Sequence, residues 1–167
     1  MTPELFERTR GEYIISTDAS RLDIDSVHRT LAEQYWSEGI PRETVIAAIE
    51  GSLPFGVFHN ERQVGFARVI TVHATFAYLA DVYIADDERG NGLGKWLIEC
   101  IRSYPTLTKL RRFILTTRDA SGLYAQFRFT PLSAPARWME IARSATELYG
   151  EQRTNAVFPP PRLELAA

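Results

Sequence analysis

Residues 88–94 read Glu-Arg-Gly-Asn-Gly-Leu-Gly, and this turn lies between a β-rich run (FAYLADVYIA) and an amphipathic one (KWLIECIRSY). A strand that ends in a glycine-rich turn and opens a helix points backbone N–H groups and the positive end of the helix dipole at one spot. Such a spot suits a phosphate or diphosphate. The same glycines could instead make a tight turn that lets the helix pack closely. A Walker loop would require Gly-x4-Gly-Lys-Ser/Thr, but Gly94-Lys95 is followed by Trp96, which has no hydroxyl to offer magnesium. A dinucleotide fingerprint would require G-x-G-x-x-G in a βαβ unit, whereas Gly90, Gly92 and Gly94 are spaced G-x-G-x-G after strands that read as antiparallel.

Arg89, Gly92 and Gly94 do fit the pattern Arg/Gln-x-x-Gly-x-Gly/Ala. Together with the flanking "LADVYIADDERGNGLGKWLIECI" and the later "TTRDASGLYAQFRFTPL", they make the chain resemble the GNAT-type N-acetyltransferase family over residues 12–142, most densely over 78–132. The resemblance implies that Arg89, Gly90, Asn91, Gly92, Leu93 and Gly94 bind the pyrophosphate of acetyl-CoA. It also implies that the backbone of Val82, Tyr83 and Ile84 holds the pantetheine arm, and that Tyr124 protonates the departing sulfur.

Acetyl transfer to an amine needs a neutral amine, a donor for the oxyanion and a proton for the thiolate. A phenol of pKa ~10 can supply that proton late in the reaction; Tyr124 could equally be a helix residue packing beside Phe127. A backbone N–H of Val82 or Tyr83 is the expected oxyanion donor. Some family members carry a catalytic glutamate on the strand before the turn, but the comparable positions here hold Tyr78 or Ala80, so that assignment does not transfer. Asp81 is the candidate base, because a carboxylate inside AYLADVYI is costly to bury without a purpose or a partner; pairing with Arg68 is the other reading. Tyr35, Trp36 and Phe55 are the candidate acceptor-binding residues, with packing in the core as the other and commoner reading of such aromatics. Lys95 lies off the apolar stripe of its helix and is left outside the site.

These residues need a scaffold. A strand over 12–17, two helices from Ile24 and Pro41, strands over 53–59, 62–73 and 76–84, a helix from Leu93, a strand over 111–117 and a short helix over 121–128 follow from the periodicities. Leu93, Trp96, Leu97, Cys100 and Ile101 form the clearest helical stripe. Residues 129–132 and 137–142 are read as two last strands. The expected class is α/β (α+β): a single GNAT-like domain over 1–142 with a mixed, mostly antiparallel sheet flanked by helices, and an extension over 143–167 read as extended from its PPPR.

Composition bounds the function. With 167 residues, 19 Lys+Arg and 21 Asp+Glu, one near-neutral domain is expected, without the basic field that nucleic-acid binding needs. One cysteine and three scattered histidines spell neither a disulfide framework nor a metal site. No apolar run approaches the about 18–20 residues that span a bilayer, and the N-terminus carries no signal pattern, so no membrane partner and a cytoplasmic location are expected. A homodimer is compatible with the chain but not compelled by it. The favoured reading is direct transfer from acetyl-CoA to a primary amine of a small molecule, since Cys100 lies on the packed stripe. A protein lysine or N-terminal acetyltransferase, a non-catalytic acyl-CoA-binding regulator and a nucleotide-binding module are the alternatives.

Overall fold

Six strands lie side by side in chain order in the computed structural model, which describes residues 4–150. They are β1 (Glu7–Arg10), β2 (Tyr13–Ser16), β3 (Leu53–His59), β4 (Arg62–Thr71), β5 (Phe76–Ile84) and β6 (Arg112–Leu115). Every neighbouring pair is antiparallel except β5 and β6, which run parallel. A parallel pair needs a crossover, and α3 (Leu93–Ser103) supplies it.

Alternation along the strands sends side chains to two cores. Leu53, Phe55, Val57, Val69 and Leu79 pack with Leu93, Leu97, Ile98 and Ile101 of α3 on one face. On the other face Phe66 meets Val27 and Leu31 of α1 (Ile24–Ala32) and Val45 and Ile49 of α2 (Arg42–Glu50). Each fully buried Leu or Ile contributes roughly 1.5–3 kcal/mol, so the α3 stripe is a main anchor of the fold. Asp23 caps α1 by accepting from Ser26 N, and the helix ends at Ala32, which leaves Tyr35 in the connector to α2.

Three expectations change. Strand β1 is a strand that periodicity does not show: Glu-Arg-Thr-Arg is exposed throughout, and its pairing with β2 through Gly11 (φ 60°) is a matter of backbone geometry. The two last strands do not form. Pro131 and Pro135 remove backbone donors there, and Arg128 takes φ 68°. Phe129 instead packs edge-on against Phe113 and Tyr124, and residues Pro135–Arg137 make a 3-10 turn. The start of the expected extension is helical, α5 (Ala145–Tyr149), closed by a capping box between Ser144 and Glu147; its remainder, 151–167, lies outside the described residues. Among the described residues no helix is long and apolar enough to cross a membrane, and no cluster of His, Cys, Asp or Glu is arranged to hold a metal ion.

Candidate active site

Strand β5 is zipped to β6 only from Phe76 to Leu79, where Leu79 faces Leu115; beyond that the two strands part. From Ala80 onward one edge of β5 carries no strand partner among the described residues, and this edge lines a groove. A β-bulge marks the same place. Arg68 of β4 faces Ala80 and Phe66 faces Tyr83, so Asp81 and Val82 together stand opposite Ala67. Asp81 takes φ 55°, the left-handed conformation that opens this kind of bulge and that Asp tolerates better than most residues. The bulge reverses the alternation: Ala77 and Leu79 face α3 before it, and Val82 and Ile84 face α3 after it.

The strand leads through a 3-10 turn (Asp86–Glu88) into the glycine segment and then α3. Gly90 and Gly92 have φ 85° and 72°, which L side chains rarely adopt. A Cβ at Gly90 would meet nothing within 4 Å, and one at Gly92 only Arg10 Nη2 at 3.9 Å. Tight packing of the helix therefore does not account for these two glycines. They hold a left-handed backbone with an open surface. The carbonyl of Gly92 accepts the first helical bond from Trp96 N, so the preceding N–H groups of α3 have no partner inside the helix and no capping side chain.

The groove measures about 1270 Å³ and runs from this turn, along the free edge of β5, to the connector between α1 and α2. Tyr124, on α4 (Ser121–Ala125), lines its middle and is 8 % exposed. Burial raises its phenol above the ordinary value, so it stays protonated through neutral pH. At the far end Arg68 Nε donates to Asp81 Oδ2 at 2.5 Å, and Trp36 Nε1 donates to Asp81 Oδ1 at 3.2 Å. Tyr35 and Trp36 meet edge-on with ring centroids 5.0 Å apart, and the Arg118 guanidinium lies 3.7 Å over the Tyr35 ring.

Of the residues expected in the site, Tyr35, Trp36, Asp81, Val82, Tyr83, Ile84, Arg89, Gly90, Gly92, Leu93, Gly94 and Tyr124 line this one groove. Two do not. Phe55 is wholly buried on the α3 face, edge-on to Phe6 and Tyr104, because it shares the phase of Leu53 and Val57. Asn91 turns its amide back to Glu88 Oε2 (3.3 Å), and its carbonyl accepts from Arg10 Nη2 (3.1 Å). Arg89 pairs with Asp86 Oδ1 (2.9 Å) and donates from Nε to the Ile84 carbonyl (3.4 Å), exposed contacts that a ligand can displace at little cost. Lys95, set aside from the sequence, lines the groove, as do Glu88, Thr116, Thr117 and Arg118. The position of Lys95 in the first turn of a helix that opens onto the turn was the available signal.

Asp81 is engaged as an ion-pair partner, with side-chain exposures of 11 % for Asp81 and 17 % for Arg68. Truncation should therefore read out first as stability. Asp81→Ala strands a half-buried guanidinium and places Ala at φ 55°, and we expect a loss of about 3 kcal/mol, seen as a lowered Tm. Asp81→Asn keeps an acceptor and tolerates the left-handed backbone, so its loss should be the smaller. Equal Tm values for Asp81→Ala and the parent would contradict this role.

A family model for the acetyltransferase (GNAT) domain matches residues 45–131. A Gibberella zeae protein classed as an acetyltransferase is 30 % identical over 142 residues, 71 % of this chain and 78 % of that one. The crystal structure of a GNAT-family protein from Xanthomonas campestris pv. campestris superposes with a TM-score of 0.79 at 46 % identity, covering 82 % of this chain and 97 % of its own. A Clostridium acetobutylicum structure described as a predicted acetyltransferase with acetyl-CoA shares the fold (TM-score 0.58, 15 % identity, 78 % and 94 % covered). With more than half of the sequence matched by the domain model and an acetyltransferase relative 30 % identical over 71 % of the chain, the chain belongs to the GNAT family and is an N-acetyltransferase.

Proposed function

We propose that the groove binds acetyl-CoA along the free edge of β5 and that the protein moves the acetyl group directly to a primary amine of a small molecule. The observation that carries this reading is the joint placement of three features in one groove. Unpaired strand backbone at Ala80 to Ile84, an open glycine turn at a helix N-terminus and a buried, protonated Tyr124 all line it. The residues fit the donor. An extended pantetheine arm can pair with the β5 edge as a further strand would, and a diphosphate suits the N–H groups of the turn and of α3.

Acetyl-CoA would supply an activated thioester. Tyr124 gives its proton to the departing thiolate, an N–H of Val82 or Tyr83 stabilises the oxyanion, and the proton that the attacking amine loses leaves to solvent as the amide forms. Asp81, held by Arg68, positions the Trp36 indole at the acceptor end. That end favours a small acceptor, since Tyr35, Trp36 and the Arg118 side chain stacked on Tyr35 confine it. Direct transfer is supported by Cys100, whose thiol is buried against the core and pushed up to about 11 by that burial. Cys100→Ala should keep full turnover.

The test is calorimetry and thermal shift with acetyl-CoA, CoA, ATP and NAD, followed by a panel of small amines and of peptides with free lysine or N-terminal amines, read by thiol release. Ligand at ~100 times its Kd adds about 2.7 kcal/mol of stability. Stabilisation by the CoA species alone and turnover with a small amine are the expected results. Turnover with peptides only would move the acceptor to proteins, and a response to ATP or NAD without one to CoA would overturn the reading.

A further inference from the structure

Glu88 is the only charged residue that is buried among the described residues, at 7 % exposure, and the transfer chemistry makes no use of it. A carboxylate taken out of water is costly unless its oxygens are satisfied. Four donors satisfy these. Tyr13 Oη donates to Oε2 at 2.8 Å, His59 Nδ1 contacts Oε1 at 2.7 Å, Arg62 Nη2 donates to Oε1 at 3.0 Å, and Asn91 Nδ2 donates to Oε2 at 3.3 Å. The first three come from β2, β3 and β4, and the fourth from the glycine turn itself. The Tyr13 and His59 rings stack with centroids 4.4 Å apart, and Arg62 also holds Asp87 Oδ2 at 2.8 Å. His59 and the other donors hold the Glu88 carboxyl down at about 2, so it is ionised throughout the working range.

The placement matters because Glu88 directly precedes Arg89, while the glycines after it make few contacts of their own. A segment with two left-handed glycines and open space around both has many alternative shapes, and only one presents its N–H groups together. From its position between the sheet and this segment, we infer that Glu88 is a positioning residue for the anion-binding turn: clamped by Tyr13, His59 and Arg62, it holds residues 89–92 in the shape that receives a diphosphate. The inference rests on the proposed acetyl-CoA reading of the groove. Its sign is diagnostic. Were Glu88 acting only through its charge, removing a negative group beside an anion site would strengthen binding; as a clamp, its removal weakens binding by undoing preorganisation.

The experiment compares CoA with S-acetylpantetheine, which keeps the thioester and the pantetheine arm but lacks the diphosphate. Loss of charge-assisted hydrogen bonds sets the scale, so Glu88→Ala should weaken CoA about 10–100-fold in Kd and S-acetylpantetheine less than about 2-fold. Glu88→Gln, which keeps one acceptor oxygen, should recover part of the loss. Tyr13→Phe removes one donor, keeps the ring stack on His59 and should weaken CoA by about 3–10-fold, which tests the clamp even where Glu88→Ala does not fold. A folded Glu88→Ala protein that binds CoA as tightly as the parent or more tightly overturns the proposal; so does an equal loss for both ligands, or an unchanged Kd in Tyr13→Phe where Glu88→Ala does not fold. Gly92→Glu separates the two levels. If it leaves CoA binding intact, the groove reading fails; if it abolishes CoA binding while the Glu88 and Tyr13 variants do not weaken it, only the clamp fails.

Discussion

Tyr124→Phe should lower turnover by about 10²–10⁴-fold, the usual weight of a positioned general acid, while leaving the Kd for CoA within about 2-fold. The substitution removes one oxygen and keeps the ring that packs against Phe129, so the fold and the groove wall persist. The phenol is suited to the task because burial holds its proton on until a strong base appears, and a departing thiolate is such a base. The measurement is a pair: initial rates with the amine found in the panel, and calorimetric binding of CoA. Loss of both would make Tyr124 a structural residue. Retention of both would remove it from the chemistry.

Gly92→Glu should abolish measurable CoA binding, at least about 100-fold in Kd, with a small effect on Tm. The backbone at φ 72° costs a side-chain-bearing residue about 1–2 kcal/mol, which the domain can absorb. Space is not the obstacle, since the new Cβ would meet only Arg10 Nη2 at 3.9 Å. The effect comes from placing a carboxylate where phosphate oxygens would sit, at a point where the carbonyl of the same residue starts α3. Gly92→Ala is the matched control, because it pays the backbone strain without the charge. A Gly92→Glu protein that is folded and still stabilised by CoA would show that the diphosphate lies elsewhere.

Signals that are local in the chain carried most of the reading. The glycine spacing from Arg89 to Gly94 and the stripe from Leu93 to Ile101 each depend on neighbours within two turns, and both stand in the structure where the sequence puts them. Non-local devices were hidden. Phe55 was drawn toward the acceptor end by its residue type, but a strand's two-residue period settles its face, and only the pairing of β3 with β4 reveals which face is which. Asp81 could be weighed as base or partner; its ion pair with Arg68 depends on register across β4 and β5. Glu88 carried no signal, because its four donors span residues 13–91. The strands expected near Phe129 and Arg137 failed for a cause that was legible, the two prolines beside them.

The bulge at Asp81 also constrains how this chain can vary in length. Because it reverses the alternation of β5, the residues on its two sides are out of step by one, and both stretches still present their apolar members to α3. Deleting Asp81 alone would leave a regular strand in which Ala77, Leu79, Val82 and Ile84 still alternate toward α3, because the bulge is itself the one extra residue; what would be lost is the carboxylate that Arg68 and Trp36 hold. The faces of β5 thus tolerate the loss of one residue at the bulge but not within Val82–Ile84, so natural variants that shorten this segment by one should lose the residue at 81 and, with it, the partner of Arg68.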